Sequence, residues 1–318
     1  MRALWLEDDR LTLREDVPEP EPVPGEMLIR VCRAGICGTD IELLRGYSGL
    51  RGVPGHEFMG EVIVGPEPWP GTRVVAGINI PCGECELCLR GLPNHCARRQ
   101  VLGIRDRNGA FAEVVAVPGA NVYRVPDEIT DRDAVLVEPL AAALEIVEQV
   151  SVDADDRVLV IGSGRLGQLV IQVLSRFSRR VDVLVRDERR KPAIEVLDVQ
   201  ILGEDQLGNG AYDVVVECSG NPSAFGTALE AVRPRGTLVL KSTYAADLTI
   251  DASRIVVNEV NLIGSRCGPF AESIEWLREG KLSLSHLRFE EFPMSDFESA
   301  LECARRPDVY KVLLNPAG

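Results

Sequence analysis

Residues 158–168 read VLVIGSGRLGQ, an apolar run that ends in a G-x-G-x-x-G motif. The run is typical of a buried strand, and the residues after it have helical spacing. Gly162 permits a tight turn, Gly164 lets a phosphate approach the backbone, and Gly167 lets the helix pack on the strand. This context predicts a dinucleotide whose pyrophosphate lies at the helix N-terminus. The alternative is a tight strand–helix turn that binds no ligand.

The segments that follow this motif alternate between strand and helix patterns. Four further apolar runs, VDVLV, DVVVEC, TLVLKS and NLIG, are separated by helical stretches. Strands that are apolar throughout are typical of a parallel sheet covered by helices on both faces. From Arg157 onwards we therefore predict an α/β fold with a doubly wound parallel sheet.

The first hundred residues have a different pattern, in which short β-type runs alternate with Pro- and Gly-rich turns. Examples are MLIRVCRAGI (27–36), FMGEVIVG (58–65) and TRVVAGINI (72–80). Turn signals at short intervals indicate an irregular, mostly antiparallel β domain. The length of 318 residues accommodates roughly two domains.

Four cysteines lie close together in residues 81–96, PCGECELCLRGLPNHC. They are Cys82, Cys85, Cys88 and Cys96, and the glycines and prolines among them allow tight turns. Four thiolates match the closed tetrahedral site of a structural Zn²⁺, which carries out no chemistry. Two disulfides, or four unrelated buried thiols, are the alternatives, and the dense spacing argues against both.

Charge and composition argue against several classes of partner. The formal net charge of −14 disfavours nucleic acid and anionic membranes. The start, MRALWLEDDRLTLRED, lacks the pattern of a signal peptide, and no apolar run is long enough to cross a bilayer. We therefore expect a cytoplasmic protein that acts on a small molecule. Its nine cysteines should serve as metal ligands or core thiols rather than as disulfides.

The end of the second strand of the α/β part, VDVLVRDERR (181–190), bears on the choice between NAD and NADP. Asp187 stands twenty residues past the last glycine of the motif and suits the ribose 2′-hydroxyl of NAD. Arg186, helped by Arg189 or Arg190, suits the 2′-phosphate of NADP through a bidentate fork. The balance is slightly in favour of NADP. A solvated helix start is the alternative for these arginines.

A second, reactive zinc site would need about three protein ligands and an open position. His56 is one of only three histidines and stands in VPGHEFMG, directly before Glu57. Cys37 stands in AGICGTD, nineteen residues before His56. These residues alone are a modest signal, because a core histidine without a metal is the commoner case.

Taken together, the motifs resemble those of the zinc-dependent medium-chain alcohol dehydrogenases. ICGTD, GHEFMG, the four-cysteine segment, VEPLAAAL and GSGRLG occur in that family's order and cover essentially the whole chain. The polyol and threonine dehydrogenase branch is the most similar. The resemblance implies a GroES-like catalytic domain over residues 1–146, completed by residues 266–318, and a Rossmann NAD(P)-binding domain over residues 147–265. It also implies a homodimer or homotetramer joined through the nucleotide domains.

The same resemblance implies a catalytic zinc held by Cys37, His56, often Glu57, and Glu138 of the VEP segment. With the structural zinc, this makes two ions per chain. Zinc lowers the pKa of an alcohol, so that a hydride can pass to the nicotinamide. The expected activity is NAD(P)-dependent oxidation of a secondary alcohol, polyol, sugar or related hydroxy compound.

Further roles follow from the family pattern. Thr39 matches the hydroxyl that begins a proton relay, with a turn-stabilising hydroxyl as the alternative. Ser219, in ECSGNP, falls where the backbone of relatives runs past the nicotinamide, so it is expected to line that pocket. Lys311, in DVYKVLL, falls where relatives offer a cation to the pyrophosphate, and a solvated lysine is the alternative. Arg165 and Leu166 complete the glycine loop.

The chain also departs from the family pattern, because Glu42 and Glu145 stand where many relatives carry histidine. Two other functions remain to be distinguished. A zinc-independent quinone or enone reductase of the same superfamily would not need Cys37, His56 and Glu138 together. A non-catalytic zinc-binding module is opposed by the acidic charge and the complete nucleotide unit.

Overall fold

The computed structural model describes residues 1–244 and 248–318. Its strands are β1 (Ala3–Glu7), β2 (Arg10–Arg14), β3 (Glu26–Gly35), β4 (Glu57–Val64), β5 (Arg73–Ala76), β6 (Asn79–Ile80), β7 (Gln100–Val101), β8 (Val114–Pro118), β9 (Val122–Arg124), β10 (Arg157–Ile161), β11 (Arg180–Leu184), β12 (Gln200–Leu202), β13 (Tyr212–Glu217), β14 (Val232–Leu240), β15 (Asn261–Gly264), β16 (Phe289–Pro293) and β17 (Lys311–Asn315). Its helices are α1 (Gly38–Leu43), α2 (Glu86–Leu89), α3 (Asp131–Ala134), α4 (Val137–Gln149), α5 (Arg165–Leu174), α6 (Lys191–Glu195), α7 (Ser223–Ala231), α8 (Ala252–Val257), α9 (Phe270–Arg278) and α10 (Phe297–Ala304).

The described residues divide into two units. Unit 1 comprises Met1–Glu138, Phe270–Lys281 and Phe289–Gly318, and unit 2 comprises Pro139–Pro269 and Leu282–Arg288. None of the helices in the described ranges has the length and apolar character needed to span a bilayer.

Unit 2 is built on a parallel sheet with the strand order β12-β11-β10-β13-β14-β15. Its central strand β10 is buried from the second residue onwards, and the glycine motif follows it directly. Helix α5 packs on β10 and β11, and α7 packs on β13 and β14. The predicted α/β fold with a parallel sheet is therefore confirmed. The strand order reverses between β10 and β13, which is where open sheets of this kind bind dinucleotides.

Unit 1 is built on a mostly antiparallel sheet with the order β16-β17-β3-β4-β5-β9, and β8 also pairs with β3. Among the described strands of this sheet, β16 and β17 are the only neighbours that run parallel to each other. Strand β3 is long enough to pair with β8 along its first half and with β17 at its last two residues. The end of β3 is therefore flanked by β4 on one side and β17 on the other.

The division of the chain differs from the predicted one. We expected boundaries after residue 146 and before residue 266, whereas the units change at residues 138/139 and 269/270. Most of α4 belongs to unit 2, because Lys241 Nζ donates to the carbonyl oxygen of Ala142 at 2.6 Å. Residues Leu282–Arg288 also belong to unit 2. There the amide of Ser283 donates to Gln172 Oε1 at 2.7 Å.

Candidate functional site

Two motifs that are distant in sequence meet at one end of the unit 1 sheet. Gly35, the last residue of β3, is paired with Glu57, the first residue of β4. Cys37 follows β3 as the N-cap of α1, and His56 directly precedes β4. Because the two strands are antiparallel, this pairing brings Cys37 and His56 to the same end of the sheet. The ligand atoms of Cys37, His56 and Glu57 all lie within 4.8 Å of one another.

These three side chains suit a metal ion. A thiolate, an imidazole and a carboxylate form a donor set that Zn²⁺ accepts in catalytic sites. His56 and Glu57 are almost fully buried, at 3% and 1% exposure, whereas Cys37 is partly exposed. Glu138 is the second residue of α4 and is not a member of this group of ligand atoms. Its role as a ligand therefore stays a prediction.

Asp40 contacts two of the candidate ligands. Its Oδ2 accepts a hydrogen bond from the amide of Cys37 at 2.8 Å, and its Oδ1 lies 3.4 Å from His56 Nδ1. Burial lowers the pKa of His56, but the Asp40 carboxylate and Cys37 outweigh burial and raise this pKa well above its ordinary value. A carboxylate beside a buried imidazole is the usual neighbour of a metal-ligating histidine, so the residues fit the predicted ion.

Besides Cys37 and His56, Glu57 lies beside a cationic side chain that the sequence did not indicate. The ammonium of Lys311 forms an ion pair with Glu57 Oε2, and both side chains are only 2% exposed. Lys311 reaches Glu57 because β17 pairs with β3, with Leu313 opposite Gly35. We expected Lys311 to contact a pyrophosphate. The structure gives its ammonium a buried carboxylate partner within unit 1, and its contact with a pyrophosphate stays a prediction.

Two polar residues of α1 lie near the candidate metal ligands in sequence. The hydroxyl of Thr39 is 3.8 Å from Cys37 Sγ. Glu42, which stands where many relatives carry histidine, pairs instead with Arg45 at 2.8 Å, and both side chains are exposed. Of these two residues, Thr39 is therefore the one beside Cys37, whereas the carboxylate of Glu42 is engaged in a surface ion pair.

The four cysteines of residues 81–96, which we call the cysteine lobe, have their sulfur atoms close together. The Sγ–Sγ distances are 3.4 Å for Cys85–Cys88, 3.5 Å for Cys82–Cys96, 3.7 Å for Cys85–Cys96 and 4.0 Å for Cys82–Cys88. A tetrahedral zinc with bonds of about 2.3 Å requires sulfur separations of about 3.8 Å, so the lobe fits this ion. Disulfides would need about 2.05 Å. All nine cysteines are free thiols in the structure.

Backbone and cationic donors surround one of these sulfurs. Hydrogen bonds from backbone amides, first that of Glu84, lower the pKa of Cys82 to about 6. The guanidinium of Arg98 also donates to Cys82 Sγ at 3.4 Å, and Glu84 holds that guanidinium at 2.7 Å. These donors stabilise a thiolate, which is the form that binds metal.

In unit 2, the three glycines of the motif have distinct surroundings. A Cβ on Gly162 would lie 2.7 Å from the amide nitrogen of Ser219, and one on Gly167 would lie 2.0 Å from the carbonyl oxygen of Gly162. Gly164 caps α5, and a Cβ there would meet only the guanidinium of Arg190, at 3.3 Å. The first and third glycines are therefore required by packing, whereas the second leaves the backbone accessible to a ligand.

Positive charge is concentrated around this glycine loop. Arg165 and Leu166 are the first residues of α5, and Arg190 Nη1 donates to the carbonyl oxygen of Ser163 at 3.5 Å. Burial lowers the pKa of Arg190, and the charges of Arg165 and Arg189 lower it further, while Asp187 opposes them. Such a cluster of cations at a helix N-terminus suits phosphate groups.

The other predicted cofactor residues already have partners within unit 2. Arg189 pairs with both carboxylate oxygens of Asp187, at 2.9 Å each, and these contacts lower the pKa of Asp187. Arg186 Nε donates to Glu204 Oε1 at 2.7 Å. The amide and hydroxyl of Ser219 donate to Glu217 Oε1 at 2.7 and 2.5 Å.

Glu217 is a fully buried carboxylate at the end of β13 that sequence reasoning did not single out. Besides Ser219, the hydroxyl of Tyr244 donates to its Oε2. The position of Glu217 at the carboxyl end of a parallel strand was the signal that could have indicated it. Its neighbour Cys218 is partly buried, and desolvation raises the pKa of that thiol, which makes it a poor nucleophile.

Comparison with known proteins agrees with this arrangement. The model of the alcohol dehydrogenase GroES-like domain matches residues 23–127, and the model of the zinc-binding dehydrogenase domain matches residues 166–279. An L-threonine 3-dehydrogenase of Pyrococcus horikoshii is 31% identical over 94% of this chain and 93% of its own length. An erythritol/L-threitol dehydrogenase of Mycolicibacterium smegmatis is 29% identical over 95% of this chain and 94% of its own length.

Solved structures are similar over the whole chain. A short chain alcohol dehydrogenase of Escherichia coli CFT073, complexed with NADH, has a TM-score of 0.91 at 27% identity and 99% coverage of both chains. A zinc-binding dehydrogenase of Sinorhizobium meliloti 1021, bound to NADP, has a TM-score of 0.89 at 27% identity and the same coverage.

The fold and the site together define a metal-dependent oxidoreductase that uses a nicotinamide dinucleotide. The chain belongs to the zinc-type alcohol dehydrogenase family. Unit 1 contains the GroES-like domain and unit 2 the Rossmann-type domain, as the resemblance implied. The predicted family, fold class and class of enzyme are therefore confirmed.

Proposed function

We propose that this protein transfers a hydride between NAD(P) and a secondary hydroxyl group of a polyol, a sugar or a related hydroxy compound. The observation that carries this proposal is the group formed by Cys37, His56 and Glu57, in a chain that also has a complete glycine loop. The names of two relatives, which refer to erythritol or L-threitol and to L-threonine, support a small substrate of this kind.

Two zinc ions per chain are part of the proposal. Cys37, His56, Glu57 and Glu138 would hold the catalytic ion, and the four cysteines of the lobe would hold the structural one. When bound, the catalytic ion supplies a Lewis acid that favours deprotonation of the alcohol, and the nicotinamide supplies the hydride acceptor.

The residues around these ligands keep them in place and provide a proton acceptor. Asp40 accepts a hydrogen bond from the amide of Cys37, and its other carboxylate oxygen faces His56 Nδ1 at 3.4 Å, so we propose that it orients these two ligands. The hydroxyl of Thr39, next to Cys37 Sγ, is our candidate for the first step of a proton relay, in which it takes the substrate proton while it passes its own proton on towards water.

The dinucleotide is assigned to the glycine loop and its neighbours in unit 2. The proposed contacts are Gly162, Gly164, Arg165, Leu166, Gly167, Arg186, Asp187 and Ser219. The concentration of arginines near this loop favours NADP slightly over NAD. Free thiols throughout the chain fit a reducing compartment, and the cytoplasm is therefore the proposed location.

We also propose that the protein is a homodimer or homotetramer joined through unit 2. Strand β15 ends the strand order of the sheet, so one of its edges has no strand partner in the described residues. Leu262 on this strand is 39% exposed, and Val256 and Val257 on α8 are 74% and 79% exposed. A second copy of the chain would cover both the unpaired edge and these apolar side chains.

Light scattering coupled to size exclusion would test the assembly. The wild type should elute as a dimer or tetramer, and Leu262→Glu combined with Val257→Glu should shift it to the monomer because both carboxylates would be buried in the interface. A monomeric wild type, or an unchanged mass in the double variant, would refute this interface.

A substrate panel tests the proposed activity. Alcohols, polyols and sugars would be supplied with NAD and NADP separately, and the absorbance of the reduced nicotinamide would be followed. Cys37→Ser should abolish turnover without changing dinucleotide binding, because Cys37 lies in unit 1 and the glycine loop in unit 2. Cys32→Ser, a partly buried thiol of β3, is the matched control and should retain turnover. Normal turnover by Cys37→Ser would refute the site assignment.

A further inference from the structure

The glycine loop, Arg186 and Glu204 lie at the carboxyl ends of three neighbouring strands in unit 2. Ile161 of β10 is paired with Leu184 of β11, and Leu184 is paired with Leu202 of β12. The glycine loop begins one residue after Ile161, Arg186 lies two residues after Leu184, and Glu204 lies two residues after Leu202. Because the strands are parallel and in register, all three features lie at the same edge of the sheet.

Arg186 is held in a defined position at this edge. Its Nε donates to Glu204 Oε1 at 2.7 Å, its Nη1 to Ser223 Oγ at 3.2 Å, and its Nη2 to Thr227 Oγ1 at 3.3 Å. The hydroxyls of Ser223 and Thr227 fix the plane of the guanidinium without neutralising it. Glu204 is the charged partner, and its side chain is 62% exposed.

The two acids that follow β11 each pair with a cation of the same short segment, Asp187 with Arg189 and Glu188 with Lys191. Val185 directly follows β11 and is 4% exposed, so it offers neither a charge nor a hydrogen bond. Asp187 is held by Arg189 through both carboxylate oxygens. Glu204, which comes from the neighbouring strand, is thus the exposed carboxylate in contact with Arg186.

We propose that the pair of Arg186 and Glu204 recognises the 2′ position of the adenosine ribose, and that Glu204 sets the preference between NAD and NADP. With NAD, the carboxylate accepts a hydrogen bond from the 2′-hydroxyl while it keeps its contact with Arg186. With NADP, the 2′-phosphate takes the place of the carboxylate on the guanidinium, and the exposed side chain of Glu204 turns towards solvent.

The charges explain the direction of this effect. An exposed ion pair contributes little stability, so a phosphate dianion can displace Glu204 from Arg186. The displaced carboxylate stays close to the phosphate and repels it. Glu204 therefore lowers the affinity for NADP and raises that for NAD. This inference rests on the proposed dinucleotide binding at the glycine loop.

Binding measurements on the full chain test the inference without turnover. Isothermal titration calorimetry would compare NADH with NADPH, and 5′-ADP with 2′,5′-ADP, on the wild type and three variants. Glu204→Gln should tighten NADPH and 2′,5′-ADP by about tenfold and weaken NADH a few-fold, because one carboxylate is removed. Arg186→Met should weaken NADPH and 2′,5′-ADP by at least about tenfold and leave NADH nearly unchanged.

Asp205→Asn is the matched control, because it removes the same charge from the next exposed residue of the same turn. It should leave the ratio of NADPH to NADH affinity unchanged. The inference is overturned if Glu204→Gln changes both dinucleotides equally, or if Asp205→Asn changes the ratio as much. A wild type that binds no dinucleotide would overturn both the inference and the proposed function, whereas binding with an unaltered ratio overturns only the inference.

Discussion

Gly35 makes room for the ion pair beside the candidate metal ligands. A Cβ at this position would lie 2.7 Å from Val135 Cγ1 and 2.9 Å from Glu57 Oε2. Neither neighbour can move freely, because Val135 is 1% exposed and Glu57 is paired with Lys311. The absence of a side chain at Gly35 is therefore needed by packing.

Gly35→Ala should lower the free energy of unfolding by about 1–3 kcal/mol, the usual effect of overpacking a core. Gly38→Ala is the control, since a Cβ there has no neighbour within 4 Å. Urea denaturation followed by circular dichroism would measure both variants. Equal stability of the two variants would contradict the described packing.

The buried pair of Lys311 and Glu57 gives a second prediction. Lys311→Met should lower the free energy of unfolding by about 3–5 kcal/mol, because it leaves a buried carboxylate without its cation. Adding Glu57→Gln to this variant should restore much of the loss. Arg179→Met is the control, because its pair with Asp155 is 77% and 80% exposed. A double-mutant cycle measured by urea denaturation would give the coupling free energy between Lys311 and Glu57. A coupling of zero would contradict the ion pair.

Glu145 gives a prediction about pH. Burial raises the pKa of Glu145, with Glu148 adding to the effect and Lys241 opposing it. A raised carboxyl pKa means that the folded chain binds the proton more tightly, so stability falls as pH rises from the unfolded value of about 4.3 through the folded one. Glu145→Gln should therefore be more stable than the wild type at neutral pH and lose this advantage in acid. Thermal melts of the wild type and Glu145→Gln across this pH range would measure the difference in their stability. A difference that does not change with pH would contradict the prediction.

At the scale of single residues, local motifs were more informative than pairs of distant residues. Cys37 and His56 could be predicted because each stands in a short motif typical of the family. The partner of Lys311 could not, because it depends on β17 pairing with β3, and no local pattern specifies that pairing. A lysine at the start of an apolar strand carries no local signal of a buried carboxylate partner.

Among the secondary-structure elements, the glycine loop combines packing with ligand access. A Cβ on Gly167 would collide with the carbonyl of Gly162, whereas one on Gly164 would meet only the end of the Arg190 side chain. The same substitution at the two positions should therefore have different effects.

Gly167→Ala should destabilise unit 2, because the new methyl group cannot be accommodated between α5 and the loop. Gly164→Ala should change the stability by no more than about 1 kcal/mol, since its Cβ meets only the end of the Arg190 side chain, and weaken dinucleotide binding by at least about tenfold. Thermal melts and fluorescence titration with NADH or NADPH would measure the two effects. Unimpaired dinucleotide binding by Gly164→Ala would contradict the placement of the pyrophosphate.

The cysteine lobe is the element that the sequence predicted most directly. All four sulfurs come from one short segment, so the spacing of the residues nearly determines their separation in space. The contacts of Arg186 were less accessible to prediction, because Glu204, Ser223 and Thr227 come from two other segments of the chain.

For the whole molecule, the alternation of strands and helices predicted the parallel sheet, and the turn-rich first part predicted the antiparallel one. The boundaries were harder, because α4 has the same helical pattern whichever unit it packs against. Its contacts with Lys241 and Gly268, which assign it to unit 2, join residues far apart in sequence.

The central claim is that the chain holds a reactive zinc at Cys37 and His56 in addition to the zinc of the cysteine lobe. Metal analysis of the purified protein by mass spectrometry tests it most directly. The wild type should contain about two zinc ions per chain, and Cys37→Ser about one, because only the lobe stays intact. Cys85→Ser should instead lose the lobe ion, and with it much of the local stability. One zinc in the wild type, or two in Cys37→Ser, would contradict the account.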